Sequence, residues 1–182
     1  MSNIFDYLEW RGDLTLKDSS FCDVDALVLS CLVYTDLKEA APSPGEEFIP
    51  LHEMFARYVA IHPEEEIDSD KRFIAYAPRI FRAMSKTRRF MHAKAGCYSD
   101  VFDSDRNLQF AALSVRMDDE VLFVAYRGTD DTMTGWREDF NLSYMSVPAD
   151  EEAVRYINEA ASGSTYDIRI GGHSKGGHLA VY

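Results

Sequence analysis

The sequence has few cysteines, no long apolar segment and no excess of basic residues. Its three cysteines, Cys22, Cys31 and Cys97, are an odd number without the close spacing of a disulfide framework or a zinc site. We therefore expect a reducing, cytoplasmic location. No apolar run is long enough to span a bilayer, and the first residues lack the pattern of a secretory signal. We expect no transmembrane segment.

Positive charge is also scarce, since 19 Lys and Arg stand against 31 Asp and Glu, for a net charge of −12. A nucleic-acid-binding protein needs a basic surface to neutralise phosphates, so this balance argues against a nucleic-acid partner. The 182 residues are 46% hydrophobic, which suits one domain with a sizeable core. We expect a single domain over residues 1–182. The oligomeric state is not indicated.

Residues 1–95 read mainly as helices. Within residues 23–38, Val24, Leu27, Val28, Cys31 and Leu32 recur at helical spacing, which predicts an amphipathic helix. Ser19 or Ser20 is a candidate N-cap for it. Residues 50–61 repeat the pattern, and a more basic helix is predicted at 78–90.

Residues 96–182 read as a sheet core. Residues 107–116 and 120–127 are rich in β-branched and aromatic residues and predict a β-hairpin closed by a polar turn at 117–119. A helix is predicted at 149–163 and a further strand at 164–172. Because a strand, a helix and a strand follow one another, we expect a crossover that makes the two strands parallel. The predicted fold class is α/β.

The last strand leads into Gly172-His173-Ser174-Lys175-Gly176, which matches G-x-S-x-G. In a nucleophile elbow the serine stands on a sharp strand-to-helix turn, and only small residues fit two positions before and after it. Gly172 and Gly176 meet that need, so we expect Ser174 to be a catalytic nucleophile. The alternative is a glycine-rich turn that cradles an anion. The P-loop and dinucleotide-binding motifs are both absent.

A second segment, Tyr126-Arg127-Gly128-Thr129, ends the predicted strand at 120–127. A serine that transfers an acyl group needs hydrogen-bond donors aimed at the oxyanion of the tetrahedral intermediate. One donor is normally the N–H of the residue after the nucleophile, here Lys175, and the other comes from a loop after a neighbouring strand. Thr129 lies in such a loop. The alternative is a plain turn that ends the strand and has no part in a site.

These two segments, with Trp136 and Asp139 between them, resemble the class 3 lipases, a family of the α/β-hydrolase superfamily. The similarity is most specific over residues 120–182. The whole chain, including its first helices, is similar to a bacterial branch of that superfamily.

The resemblance implies an α/β-hydrolase-like sheet and a serine esterase or lipase activity that uses an acyl-enzyme and no cofactor. The partner that it implies is a small-molecule ester or lipid substrate. It implies that Ser174 is the nucleophile and that Thr129 and Lys175 form the oxyanion hole. It also implies that residues 130–144 correspond to the lid region. A hydrolase-fold protein without catalysis, which binds a lipid, an anion or a protein partner, is the alternative function.

Two features depart from the lipase pattern. Lys175 stands where lipases have an apolar residue, so it either favours a polar or anionic substrate or points outward. The triad Asp or Glu and His should follow the nucleophile in this fold. We therefore expect them beyond Tyr182, which predicts that the sheet is truncated after the elbow and that the isolated chain is nearly inactive.

We expect structural roles for His173 and His178.

No metal site is predicted. His52-Glu53 begins the zinc motif H-E-x-x-H but lacks its second histidine. Residues 103–107 begin like a calcium loop but lack its glycine and its terminal glutamate, so we expect a turn there.

Overall fold

The computed structural model describes residues 3–68, 76–117, 120–129 and 147–182. These ranges contain seven helices and five strands. The helices are α1 (Ile4–Arg11), α2 (Asp23–Leu32), α3 (Leu51–Ile61), α4 (Glu64–Ile67), α5 (Tyr76–Met84), α6 (Pro148–Ala161) and α7 (Lys175–Val181). The strands are β1 (Ile49–Pro50), β2 (Lys94–Asp103), β3 (Leu108–Arg116), β4 (Val121–Tyr126) and β5 (Asp167–Gly172).

The strands form one mixed sheet in the order β1-β2-β3-β4-β5. The first three pairings are antiparallel, and β4 pairs with β5 in parallel. The predicted hairpin is therefore confirmed as β3 and β4, although Asp118 and Asp119 of its turn lie outside the described residues. The predicted parallel pair is also confirmed. The helix α6 lies within the segment that connects its two strands, and parallel neighbours need such a long crossover.

Helices cover both faces of the sheet. Every residue of β4 is buried, which is typical of a strand with packing on both sides. Alternate β4 residues belong to two separate cores, because successive side chains of a strand point to opposite faces. Val121, Phe123 and Ala125 pack with residues of α1, α2, α3 and α5, while Leu122, Val124 and Tyr126 pack with residues of α6 and α7. The fold class α/β is confirmed at this level. None of the described helices is both long and apolar enough to cross a membrane.

The predicted apolar stripe of α2 is partly wrong. Val24 and Leu27 are 36% and 49% exposed, whereas the buried face contains Leu29 and, unexpectedly, Asp25. Residues 26–33 are apolar on almost every side of the helix, so their periodicity alone does not select a face. The burial of Asp25 sets the rotation of α2.

Asp25 forms a buried ion pair with Arg89, whose Nε donates to the carboxylate at 2.6 Å. The Tyr7 hydroxyl and the Cys22 N–H also donate to it, at 2.8 Å and 2.9 Å. Burial acts to raise the pKa of Asp25, but these hydrogen bonds outweigh burial and hold that pKa below its ordinary value. The Asp25–Cys22 bond also caps α2, so the predicted caps at Ser19 and Ser20 are wrong. The carbonyl groups of both serines instead accept hydrogen bonds from Arg89.

Candidate functional site

Ser174 stands at the tip of a sharp turn between β5 and α7. The turn contains only His173 and Ser174, and both are exposed. The Ser174 backbone has φ +58° and ψ −127°. A residue with a side chain adopts such a conformation at a cost of about 1–3 kcal/mol, and strain of this kind occurs mainly at functional sites.

Helix capping does not account for this serine. Serine is a favoured N-cap, but a capping residue normally has an extended backbone and its hydroxyl bonds to the first turn. Within the described elbow, the Ser174 side chain makes no capping hydrogen bond to α7. The hydroxyl is carried at an exposed, strained position without the usual structural reason for a serine there.

Gly172 and Gly176 make the turn possible, as predicted from the motif. A Cβ on Gly172 would overlap the Gly176 carbonyl group and would lie 2.7 Å from the Tyr126 oxygen. A Cβ on Gly176 would overlap that same oxygen and would lie 2.8 Å from the Tyr126 carbonyl carbon. The start of α7 is therefore packed directly against the end of β4, with no room for side chains between them.

The segment after β4 lies against the Ser174 turn. The parallel register pairs Tyr126 with Gly172, so Gly128 and His173 come next to each other at the same edge of the sheet. A Cβ on Gly128 would lie 2.5 Å from the His173 carbonyl oxygen and 3.2 Å from the Ser174 Cβ. Thr129, half-buried, follows directly. The structure thus brings Ser174 and the Gly128-Thr129 loop together.

Lys175 differs from both expectations. Its side chain neither points outward nor lies where a substrate would meet it, because the residue is only 4% exposed. Its Nζ donates to the Gln109 carbonyl oxygen on β3 at 2.6 Å. Lys175 is the first residue of α7, on the side packed against the sheet, and this position directs its side chain inward. The Lys175 N–H remains at the elbow next to Ser174.

Arg127 anchors the other side of the site. Its Nη2 donates to Asp100 on β2 at 3.0 Å, and both side chains are mostly buried. This ion pair joins the end of β4 to β2 immediately before the Gly128-Thr129 loop. On the opposite face, the buried Tyr126 hydroxyl donates to the Ala153 carbonyl of α6, and burial raises the pKa of Tyr126. The end of β4 is held firmly on both faces.

The histidines that flank the serine contact other groups. His178 Nε2 lies 3.2 Å from Asp150, a buried residue that also accepts the Val147 N–H and so caps α6. His173 Nδ1 lies 3.2 Å from the hydroxyl of Tyr34, which follows α2. Neither Asp150 nor Tyr34 was predicted from the sequence to lie near the elbow. No local signal marks them, since each reaches the elbow from a distant part of the chain.

Several predicted features lie outside the described residues, namely Trp136, Asp139 and the lid region at 130–144. Within the described ranges, no group of three or more His, Cys, Asp or Glu side chains could hold a metal ion.

The arrangement is suited to nucleophilic chemistry. A serine hydroxyl is exposed on a strained turn, with the backbone of Lys175 on one side and that of Gly128-Thr129 on the other. Backbone N–H groups in such positions can stabilise negative charge that develops on a reacting carbonyl oxygen.

A family model described as Mbeg1-like matches residues 84–182, which include β2 to β5 and the whole elbow. No curated protein and no solved structure matches the chain. The predicted membership of the class 3 lipases and the α/β-hydrolase superfamily is therefore wrong. It rested on two short segments whose glycines are required by the packing of the turn, and such steric requirements do not distinguish one family from another. Since more than half of the chain matches its model, the chain belongs to the Mbeg1-like family.

Proposed function

We propose that this protein is a serine hydrolase that cleaves carboxylic esters through an acyl-enzyme on Ser174. The observation that carries the proposal is the strained, exposed backbone of Ser174, with φ +58° and ψ −127°. Glycine would adopt this conformation with little cost. The presence of serine is best explained by a use for its hydroxyl, and nucleophilic attack is a use that needs this exposed position.

In the proposed reaction the Ser174 Oγ attacks the ester carbonyl carbon, and the hydroxyl proton passes to a general base. The tetrahedral intermediate collapses, the bond to the alcohol oxygen breaks, and the alcohol leaves with a proton. Water then attacks the acyl-enzyme by the same route and releases the acid. The N–H groups of Thr129 and Lys175 are the proposed oxyanion donors, and loss of one such donor typically costs about 100- to 1,000-fold in rate.

A histidine is the usual base for a serine nucleophile. All five histidines have partners other than Ser174 in the described structure, including His173 with the Tyr34 hydroxyl, so we assign the role to none of them. His52 Nδ1 lies 2.7 Å from the Met91 carbonyl, His92 packs edge-on against His52, His62 stacks on Tyr58, and His178 pairs with Asp150.

The proposal includes a hydrolase-like arrangement of the elements around Ser174. It treats β5, Ser174 and α7 as a nucleophile elbow and the Gly128-Thr129 loop as its neighbour. Membership of the lipase family is not part of it.

A fluorophosphonate probe tests the proposal, because it phosphonylates activated serine hydroxyls. The gene is tagged at its own locus, so that the protein is produced as its own cells make it, and labelling is followed in a gel. We expect a labelled band in the wild type and none in Ser174→Ala. Ser104→Ala, in the exposed turn between β2 and β3, is the matched control and should label normally. Equal labelling of wild type and Ser174→Ala, or no labelling of either, would contradict the proposal. In the second case, non-catalytic binding becomes the better explanation.

A further inference from the structure

The hydroxyl of Tyr34 connects the two segments that form the proposed site. It accepts a hydrogen bond from the Gly128 N–H at 3.0 Å. It also lies 3.2 Å from His173 Nδ1 and 3.3 Å from the His173 carbonyl oxygen. A tyrosine hydroxyl has one proton to donate, which goes to one of these His173 groups, and it has lone pairs for the Gly128 N–H.

Tyr34 comes from the helical part of the chain. It is 94 residues from Gly128 and 139 residues from His173 in sequence. It is half-buried just after α2, and its ring packs edge-on against the His173 ring with 6.1 Å between centroids. The ring contact adds to the hydrogen bonds in fixing the hydroxyl at this point.

The loop, the elbow and the hydroxyl meet around the Gly128 Cα. A Cβ there would overlap the Tyr34 hydroxyl and would also lie 3.2 Å from the Ser174 Cβ. The Tyr34 hydroxyl therefore lies where the Gly128-Thr129 loop comes closest to Ser174, and it limits how the loop can move there. A small movement of Gly128 would move the adjacent Thr129 relative to the serine.

We propose that Tyr34 is a positioning residue for the Ser174 site, an inference that rests on the proposed hydrolase function. By taking the Gly128 N–H, its hydroxyl leaves Thr129 as the residue of this loop that supplies the oxyanion donor. By contacting His173, it holds the loop and the elbow at a fixed separation. Tyr34 acts on the reaction through Gly128 and His173.

Tyr34→Phe tests this role because it keeps the ring and removes only the hydroxyl. The Gly128 N–H loses its acceptor, so the amide hydrogen exchange of Gly128, measured by NMR, should become at least about tenfold faster. Hydrolysis of p-nitrophenyl acetate should show a kcat about tenfold lower, with KM within about twofold, because an oxyanion donor stabilises the transition state more than the bound ester. Fluorophosphonate labelling should slow by a similar factor.

Tyr76→Phe is the matched control. Tyr76 is 42% exposed at the start of α5. Removing its hydroxyl should change neither the amide hydrogen exchange rate of Gly128 nor kcat. A merely structural effect of Tyr34→Phe would lower the free energy of unfolding without the separate change in kcat.

The outcomes separate this inference from the proposed function. If the wild type labels at Ser174 but Tyr34→Phe has unchanged kcat and unchanged Gly128 exchange, the positioning role is overturned and the hydrolase function stands. If the wild type shows no Ser174-dependent labelling, the hydrolase function and the catalytic role of Tyr34 both fail. The exchange rate of Gly128 then decides whether Tyr34 fixes the loop at all.

Discussion

Replacing Ser174 by glycine should make the protein more stable, although it removes the proposed nucleophile. The backbone at Ser174 has φ +58° and ψ −127°, a conformation that costs a residue with a side chain about 1–3 kcal/mol. Glycine removes that cost. It also raises the entropy of the unfolded chain, which takes back about 0.5–1 kcal/mol. Because Ser174 is exposed, little packing is lost. The expected net gain is therefore about 0–2.5 kcal/mol, centred near 1 kcal/mol.

Two further variants isolate the strain. Ser174→Ala keeps a Cβ and therefore the strain, so its stability should stay close to that of the wild type. Ser104 is exposed, and it is not among the described residues that have a positive φ. Ser104→Gly should therefore lose about 0.5–1 kcal/mol. Replacing serine by glycine should therefore raise the free energy of unfolding at Ser174 and lower it at Ser104.

Urea unfolding at 25 °C, followed by circular dichroism, measures the difference. With a slope of about 2 kcal/mol per molar urea, a gain of 1 kcal/mol moves the midpoint upward by about 0.5 M. If Ser174→Gly is no more stable than Ser174→Ala, then the turn is not strained. The observation that carries the proposed function would then be lost.

Two other predictions concern packing and charge. Gly176→Ala should cost at least about 2–3 kcal/mol, because its Cβ would overlap the backbone of β4. Gly177→Ala should cost much less, since its Cβ would lie 3.3 Å from the nearest backbone oxygen, a tight contact but not an overlap. Urea midpoints that agree for these two variants would contradict the close packing of the elbow. Arg89→Leu should cost about 3–5 kcal/mol by leaving Asp25 buried without its partner, while loss of the exposed Arg88 should cost little. The folded protein holds the pKa of Asp25 below its unfolded value, so its stabilising contribution is present above about pH 4 and is lost as the pH falls through the folded pKa. Wild-type stability should fall steeply below pH 4, and a flat profile there would contradict this role for Asp25.

Features that depend on neighbouring residues could be predicted from the amino-acid sequence. The abundance of β-branched and aromatic residues predicted β3 and β4, and the strand–helix–strand order predicted the parallel pairing of β4 with β5. Gly172 and Gly176 predicted the tight turn at Ser174. These features could be predicted because backbone sterics and side-chain periodicity act over a few residues. The same locality explains the wrong family assignment, since a turn of this shape needs the same glycines in any family.

Features that depend on contacts between distant segments could not be predicted, because those contacts form only when the chain packs. The sequence of α2 is apolar on most sides, so the ion pair with Arg89 was needed to show that Asp25 is buried. The inward direction of Lys175 depends on an acceptor on β3, 66 residues away. Tyr34 meets the elbow only after the helical layer has packed on the sheet. No periodicity or short motif records such contacts, because which groups meet is decided by the free energy of the whole packed core.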